Sequence, residues 1–283
     1  MLRGRAGFGS PEFLHDYLAF VAAQMERLRP GRAWRPLADT AVAVPAFADA
    51  PDEWTTQRRA LDYYAEGSLI WLEADVLIRT RSGGKRSLDD FCRAFFGGED
   101  SAPTVQAYTR DQLIVTLDAI EPYDWDRFLR TRTDELQEHA PLGGIAGAGW
   151  TLVRNDQPNP YLDALAKVSK RDDFSHSLGL WARDDGKVAD VVYGSPAFIA
   201  GLAPSMTLIA IGGRKWSADA AKEVIIAAEH AVEPIEVIVG SGDRVRTVRI
   251  DWHGGLARPH LARTTNSPDL LSRIIAPRAR YHE

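Results

Sequence analysis

The chain has 283 residues, 34 Lys+Arg against 39 Asp+Glu and a formal charge of −5. A hydrophobic fraction of 45% and a charged fraction of 26% are those of a folded globular protein, which excludes wholesale disorder. No apolar run approaches the ~18 residues needed to cross a bilayer, and the acidic balance argues against nucleic acid as the main partner. The single cysteine, Cys92, excludes an internal disulfide and an all-cysteine metal cage. The basic start, Met1 to Arg5, has no apolar stretch behind it and predicts no secretion signal there. Cytoplasm and periplasm both stay open. At roughly 100–200 residues per domain, the length predicts two domains or one large one.

The first half reads helical. Ser10-Pro11-Glu12 is a helix start, with an N-cap serine, proline at the first helical position and an acid at the positive end of the dipole. Phe13, Leu14, Tyr17, Leu18, Val21, Met25 and Leu28 follow at helical spacing, and Pro30-Gly31 ends the run. Residues 35–52 predict an ordered loop. A second helix is expected from about Thr56 to Arg79, apolar on most sides between Gly67 and Ile78 and so buried among other helices. Glu73 and Asp75 interrupt it. Asp75 is one turn from Arg79, which predicts an ion pair. Ser82-Gly83-Gly84 stops the helix. Ser87 to Asp90 and Thr109 to Gln112 read as capping boxes opening two further helices, and a short one is expected around Trp125 to Leu129.

The composition then changes. Residues 141–149, Pro-Leu-Gly-Gly-Ile-Ala-Gly-Ala-Gly, predict a flexible connector. Beyond it strand-type runs dominate: Trp150–Val153, Leu178–Ala182, Val188–Val192, Thr207–Ile211, Ile235–Val239 and Arg244–Trp252. One helix, about Ala218–Glu229, interrupts them. The expected fold is α+β: an α-helical domain over about 1–140, a β domain over about 150–252, and a tail, 253–283, with little periodicity apart from Leu270–Ile275.

Gly194-Ser195-Pro196-Ala197, Ala200-Gly201-Leu202 and Ile211-Gly212-Gly213, with Ser177-Leu178-Gly179-Leu180 upstream, resemble a PDZ domain over about residues 172–252. The resemblance implies that Leu178, Gly179 and Leu180 receive a peptide terminus, backbone N–H groups meeting its carboxylate and the following strand offering an open edge. Ser205-Met206 departs from the Gly-Asp common at that turn. Without a ligand, the same domain would be a packing module.

A second motif set lies upstream: Asp62-Tyr63-Tyr64-Ala65-Glu66-Gly67, the apolar helix ending Ile78-Arg79, then Ser82-Gly83-Gly84 and Ser87-Leu88-Asp89-Asp90. Together with the PDZ-like region it resembles the glycyl aminopeptidase family of zinc metallopeptidases, whose members carry a PDZ domain near the C-terminus. Leu2 to Leu18 and Pro30-Gly31-Arg32 also fit. The resemblance implies a parent enzyme that releases small N-terminal residues, glycine or alanine, from peptides. It implies that Tyr64 donates a hydrogen bond to the oxyanion of the tetrahedral intermediate; apart from it, Tyr64 would read as a core tyrosine. Glu66 stands where lysine is usual, on an expected exposed turn.

Such enzymes hold zinc with His-Glu-x-x-His and a further Glu. Of the seven histidines, His15, His139, His176, His230, His253, His260 and His282, only His282 precedes a Glu, and no two stand four apart. The expectation is a C-terminal portion of the enzyme, without metal or other cofactor in this chain and inactive alone, with zinc in the full-length parent. The rival is a non-enzymatic helical-plus-PDZ adaptor for peptide termini. A PDZ-bearing serine protease fragment lacks the expected run of barrel strands. Three residues take structural readings: His176 a solvated loop histidine, Cys92 a small core residue, Ser195 a helix cap.

Overall fold

Ser10 caps its helix as its residue type predicts, the hydroxyl accepting from the Phe13 N–H at 3.2 Å. In the computed structural model, which describes residues 2–47, 50, 53–98 and 105–278, α1 (Leu2–Arg5) precedes this helix, α2 (Pro11–Arg27). The loop expected over 35–52 instead contains α3 (Leu37–Val42) and α4 (Val44–Phe47); residues 48, 49, 51 and 52 lie outside the described residues. The helix expected from Thr56 is broken. α5 (Thr55–Arg58) ends at Arg59, whose φ of 52° is left-handed, and α6 (Asp62–Arg81) restarts beyond it.

α6 is the central helix, buried on two sides as its composition predicts. Leu69, Leu72 and Val76 pack with Val21 and Met25 of α2, while Ile70, Ala74 and Ile78 face Phe91, Leu117 and Trp125. Those last three come from α7 (Leu88–Phe96), α8 (Arg110–Ile120) and α9 (Trp125–Thr133). Both capping boxes form, Ser87 with Asp90 and Thr109 with Gln112. The glycine-rich connector is not a free linker. It forms α10 (Gly143–Gly147) against α6, where a Cβ on Gly144 would stand 2.5 Å from the Glu73 backbone nitrogen. Its small residues allow close helix contact.

The strand-rich half contains β1 (Trp150–Asn155), α11 (Pro160–Ser169), β2 (Arg171–Asp173), β3 (Leu180–Arg183), β4 (Val188–Val191), α12 (Pro196–Ile199), β5 (Thr207–Ile211), β6 (Arg214–Lys215), α13 (Ala218–Ala227), β7 (Ile235–Ser241) and β8 (Arg244–Ile250). β9 (Arg258–Arg263) and α14 (Leu270–Ile275) follow. The sheets are antiparallel: β2-β3-β4, β6-β5-β7-β8, and the pair β1-β9. Along β7, Ile235, Val237 and Val239 point inward at alternate positions, as period-two patterning requires. They meet Leu180, Val191, Leu208, Ile211 and Ile225 in one core. The fold is α+β, helices first and sheets after.

Residues beyond 252 are stitched into the helical half. β9 pairs with β1 from Trp150↔Arg263 to Asn155↔Arg258. Leu271, Ile274 and Ile275 of α14 lie in the core with α2 and α6. A second tie crosses at Asp190 of β4, which accepts from the Trp54 N–H (2.8 Å), the Thr55 N–H (3.2 Å) and the Thr55 hydroxyl (2.8 Å).

Candidate functional site

Tyr64 stands on the first turn of α6 and is 71% exposed, so it is no core tyrosine. Its ring lies 4.3 Å from that of Tyr63. A hydrogen bond to Tyr64, with partial burial behind it, raises the Tyr63 phenol above its ordinary value.

Beneath this exposed pair lies a buried ionic clamp. Asp62 and Glu66 share the inward face of α6, one turn apart and turned away from Tyr64. Glu66 is 1% exposed, contrary to the exposed turn expected for it. Arg32 reaches it with both terminal nitrogens, at 2.8 and 2.6 Å, and Arg59 Nη2 adds a third contact at 2.6 Å. Asp62 is held by Arg29 at 2.7 Å and by Arg59 at 2.9 Å. The left-handed Arg59 that breaks the helix thereby turns its guanidinium into the clamp. Gly31 lets the Arg32 segment come close, since a Cβ there would sit 2.1 Å from the Gln57 carbonyl oxygen. The available signal was acids four apart on a helix downstream of five arginines between 29 and 59.

Ser68 and Trp71 follow Tyr64 along the same face of α6 and line an open cleft of about 750 Å³. Phe8, Tyr17, Phe91, Phe96 and Tyr108 give it an aromatic wall. Cys92 lines this cleft and is exposed rather than a core residue, because Phe91 beside it takes the inward position. Partial burial, then Asp89, push its thiol up, away from the thiolate form. Asp75 pairs with Arg79 at 3.0 Å as expected; it also accepts from the Leu88 N–H at 2.8 Å and so pins α7. Glu73 pairs with Arg132 of α9.

Leu178 and Leu180 are core residues on either side of Gly179. Gly179 has φ 85°, and its N–H donates to the Phe174 carbonyl at 3.0 Å, as the Ser177 N–H does at 3.1 Å. The edge of β3 that was expected to be open is paired with β2. His176 is buried rather than solvated, because α11 and residues 256–258 cover the loop. Burial pushes its imidazole below the ordinary range. Ser195 is a cap, its hydroxyl accepting from the Phe198 N–H at 3.2 Å.

Among the described residues, no three His, Cys, Asp or Glu side chains come together to hold a metal ion. Among these described residues none forms a set that fits a zinc site. Nor is any described helix long and apolar enough to cross a membrane.

No family model matches the chain, and no curated protein does. Its fold is similar to that of an aminopeptidase N family protein from Idiomarina loihiensis, at 17% identity and a TM-score of 0.60. The match covers 93% of this chain and 45% of that one, so the chain spans under half the neighbour's length.

Proposed function

We propose that the chain is the C-terminal portion of a zinc aminopeptidase that releases small N-terminal residues, glycine or alanine, from peptides, with a PDZ-like module following the helical part. The observation that carries the reading is the placement of Tyr64. It is exposed on a helix end that a buried ionic clamp fixes from below, one turn before Ser68, which lines an aromatic cleft. A donor meant for a transition state needs both accessibility and a rigid base. The fold likeness to an aminopeptidase N family protein supports the same reading.

In this reading the Tyr64 phenol donates to the oxygen that gains charge as the peptide carbonyl becomes tetrahedral. A preorganised donor of this kind contributes about 3–4 kcal/mol of transition-state stabilisation. Tyr63, hydrogen-bonded to it, restrains the phenol. No step is assigned to a metal through this chain's described residues, among which no ligand set comes together.

The test is turnover of glycyl, alanyl and leucyl arylamides by the full-length protein that carries this chain. Release of glycine and alanine ahead of leucine supports the proposal. No turnover of any of them would favour the adaptor reading.

A further inference from the structure

A peptide that augments a sheet adds a strand at an unpaired edge and takes its specificity from what flanks that edge. In the strand-rich half the edge that would serve is the outer side of β3, with α13 as the flanking helix. That position is filled. β2 pairs antiparallel with β3 in the register Arg171↔Arg183, Asp172↔Ala182, Asp173↔Trp181. The Phe174 N–H extends the ladder to the Leu180 carbonyl at 3.0 Å. β2 runs toward the Phe174–Leu180 loop, the direction in which a bound chain terminus would run. Asp172 pairs with Ala182 of β3 and shares a small void with Lys222 of α13.

The loop end is closed too. Beside Phe174 and His176 of that loop the residual void is only about 50 Å³, walled by Leu162, Asp163 and Ala166 of α11 and by Leu256, Ala257 and Arg258. The Ala257 N–H donates to the Ser177 hydroxyl at 3.0 Å, fastening that wall to the loop. Behind it, Ser175 Oγ and His176 Nε2 are buried without a hydrogen-bond partner, as in a polar site that a covering segment has sealed.

We infer that the PDZ-like groove is occupied in cis: β2 is its resident strand, and the module is closed to free chain termini until β2 is displaced. The inference rests on the PDZ-like reading of residues 172–252. A tethered segment competes at an effective concentration of order millimolar. A three-residue strand also has few bonds to lose. The arrangement is thus closed at rest and releasable.

Two measurements on the 283-residue chain test it. One is hydrogen exchange at the Asp172 amide, which faces Ala182 in the hydrogen-bonded set that alternation from the Phe174–Leu180 bond predicts. The other is fluorescence anisotropy with a library of C-terminal decapeptides, each as free acid and as amide. Asp172→Pro removes the ladder donor; Arg171→Gly/Asp172→Gly/Asp173→Gly loosens the strand without a proline. The expected result is a protected Asp172 amide, no wild-type binding at about 100 μM, and free-acid binding at least tenfold tighter in both variants. A freely exchanging amide, or wild-type binding equal to the variants', overturns the inference. A protected amide with variants that keep their fold yet bind nothing overturns the groove itself, and leaves the aminopeptidase reading to the turnover assay.

Discussion

Arg32 and Glu66 meet in a two-pronged ion pair inside the helical half, Nη1 on Oε1 at 2.8 Å and Nη2 on Oε2 at 2.6 Å, with both side chains almost wholly buried. Arg59 shares the same carboxylate. Removing one partner of a buried pair leaves charge without compensation, which costs about 3–5 kcal/mol. Glu66→Gln should lower unfolding free energy by that amount in urea titration. Glu66→Lys would gather three cations in one site and should leave the helical half unfolded by circular dichroism. A Glu66→Lys chain as stable as wild type would show that the clamp is not formed.

Gly179 is needed for space and for backbone shape. A Cβ there would lie 2.1 Å from Ser195 Cβ, at a φ of 85°. Left-handed strain and overpacking each cost about 1–3 kcal/mol. Gly179→Ala should therefore destabilise the chain by about 3 kcal/mol, and Gly179→Val by more. Substitution here disrupts the fold before it could report on peptide binding.

Asp190 joins the two halves. Replacing it with alanine orphans the Trp54 and Thr55 N–H groups and the Thr55 hydroxyl. Unsatisfied donors cost about 1–3 kcal/mol each where buried, and less at exposed Thr55, where water can enter. Asp190→Ala should lose about 2–4 kcal/mol and open the segment around Trp54 to proteolysis, whereas Asp251→Ala, at an exposed side chain, should change neither. Equal proteolysis rates in the two variants would contradict the tie.

The sequence was most legible where local chemistry decides structure. The Ser10, Ser87, Thr109 and Ser195 caps follow from residue type and spacing alone, and the alternation along β7 announces its inward face. It was least legible where a distant partner decides. Glu66 reads as a surface acid until Arg32 and Arg59 are brought to it. Residues 143–147 read as a hinge because glycine serves flexibility and close packing equally. β9 carries little periodicity of its own, because its partner β1 lies over a hundred residues upstream; the apolar run Leu270–Ile275 marks α14 but not the core with α2 and α6 that it joins. For Tyr64, the residues around it show exposure and support, and its chemistry is a proposal.

Acid should weaken the fold through two histidines. Burial pushes both His15 and His176 down, and in each Nε2 lacks a hydrogen-bond partner. A folded-state value below the unfolded ~6.5 means the unfolded chain binds the extra protons, so stability is full above about pH 6.5 and falls as pH drops toward the folded values. Asp16 and Asp172, both raised mainly by burial, act oppositely in a lower window, where the folded chain is the one that gains protons. Urea titrations at pH 7.5, 6 and 5 should show falling stability, and His176→Gln should flatten the profile. An unchanged profile in the variant would place the acid sensitivity elsewhere.

The most direct test of the account is kcat for Tyr64→Phe in the full-length protein, measured on a glycyl arylamide. The side chain is exposed, so the substitution should move stability by no more than about 0.5 kcal/mol. A donor felt only in the transition state should lower kcat by roughly 10²–10³ and leave KM nearly unchanged. An unaltered kcat, with the fold intact, would contradict the assignment of Tyr64 to the reacting carbonyl.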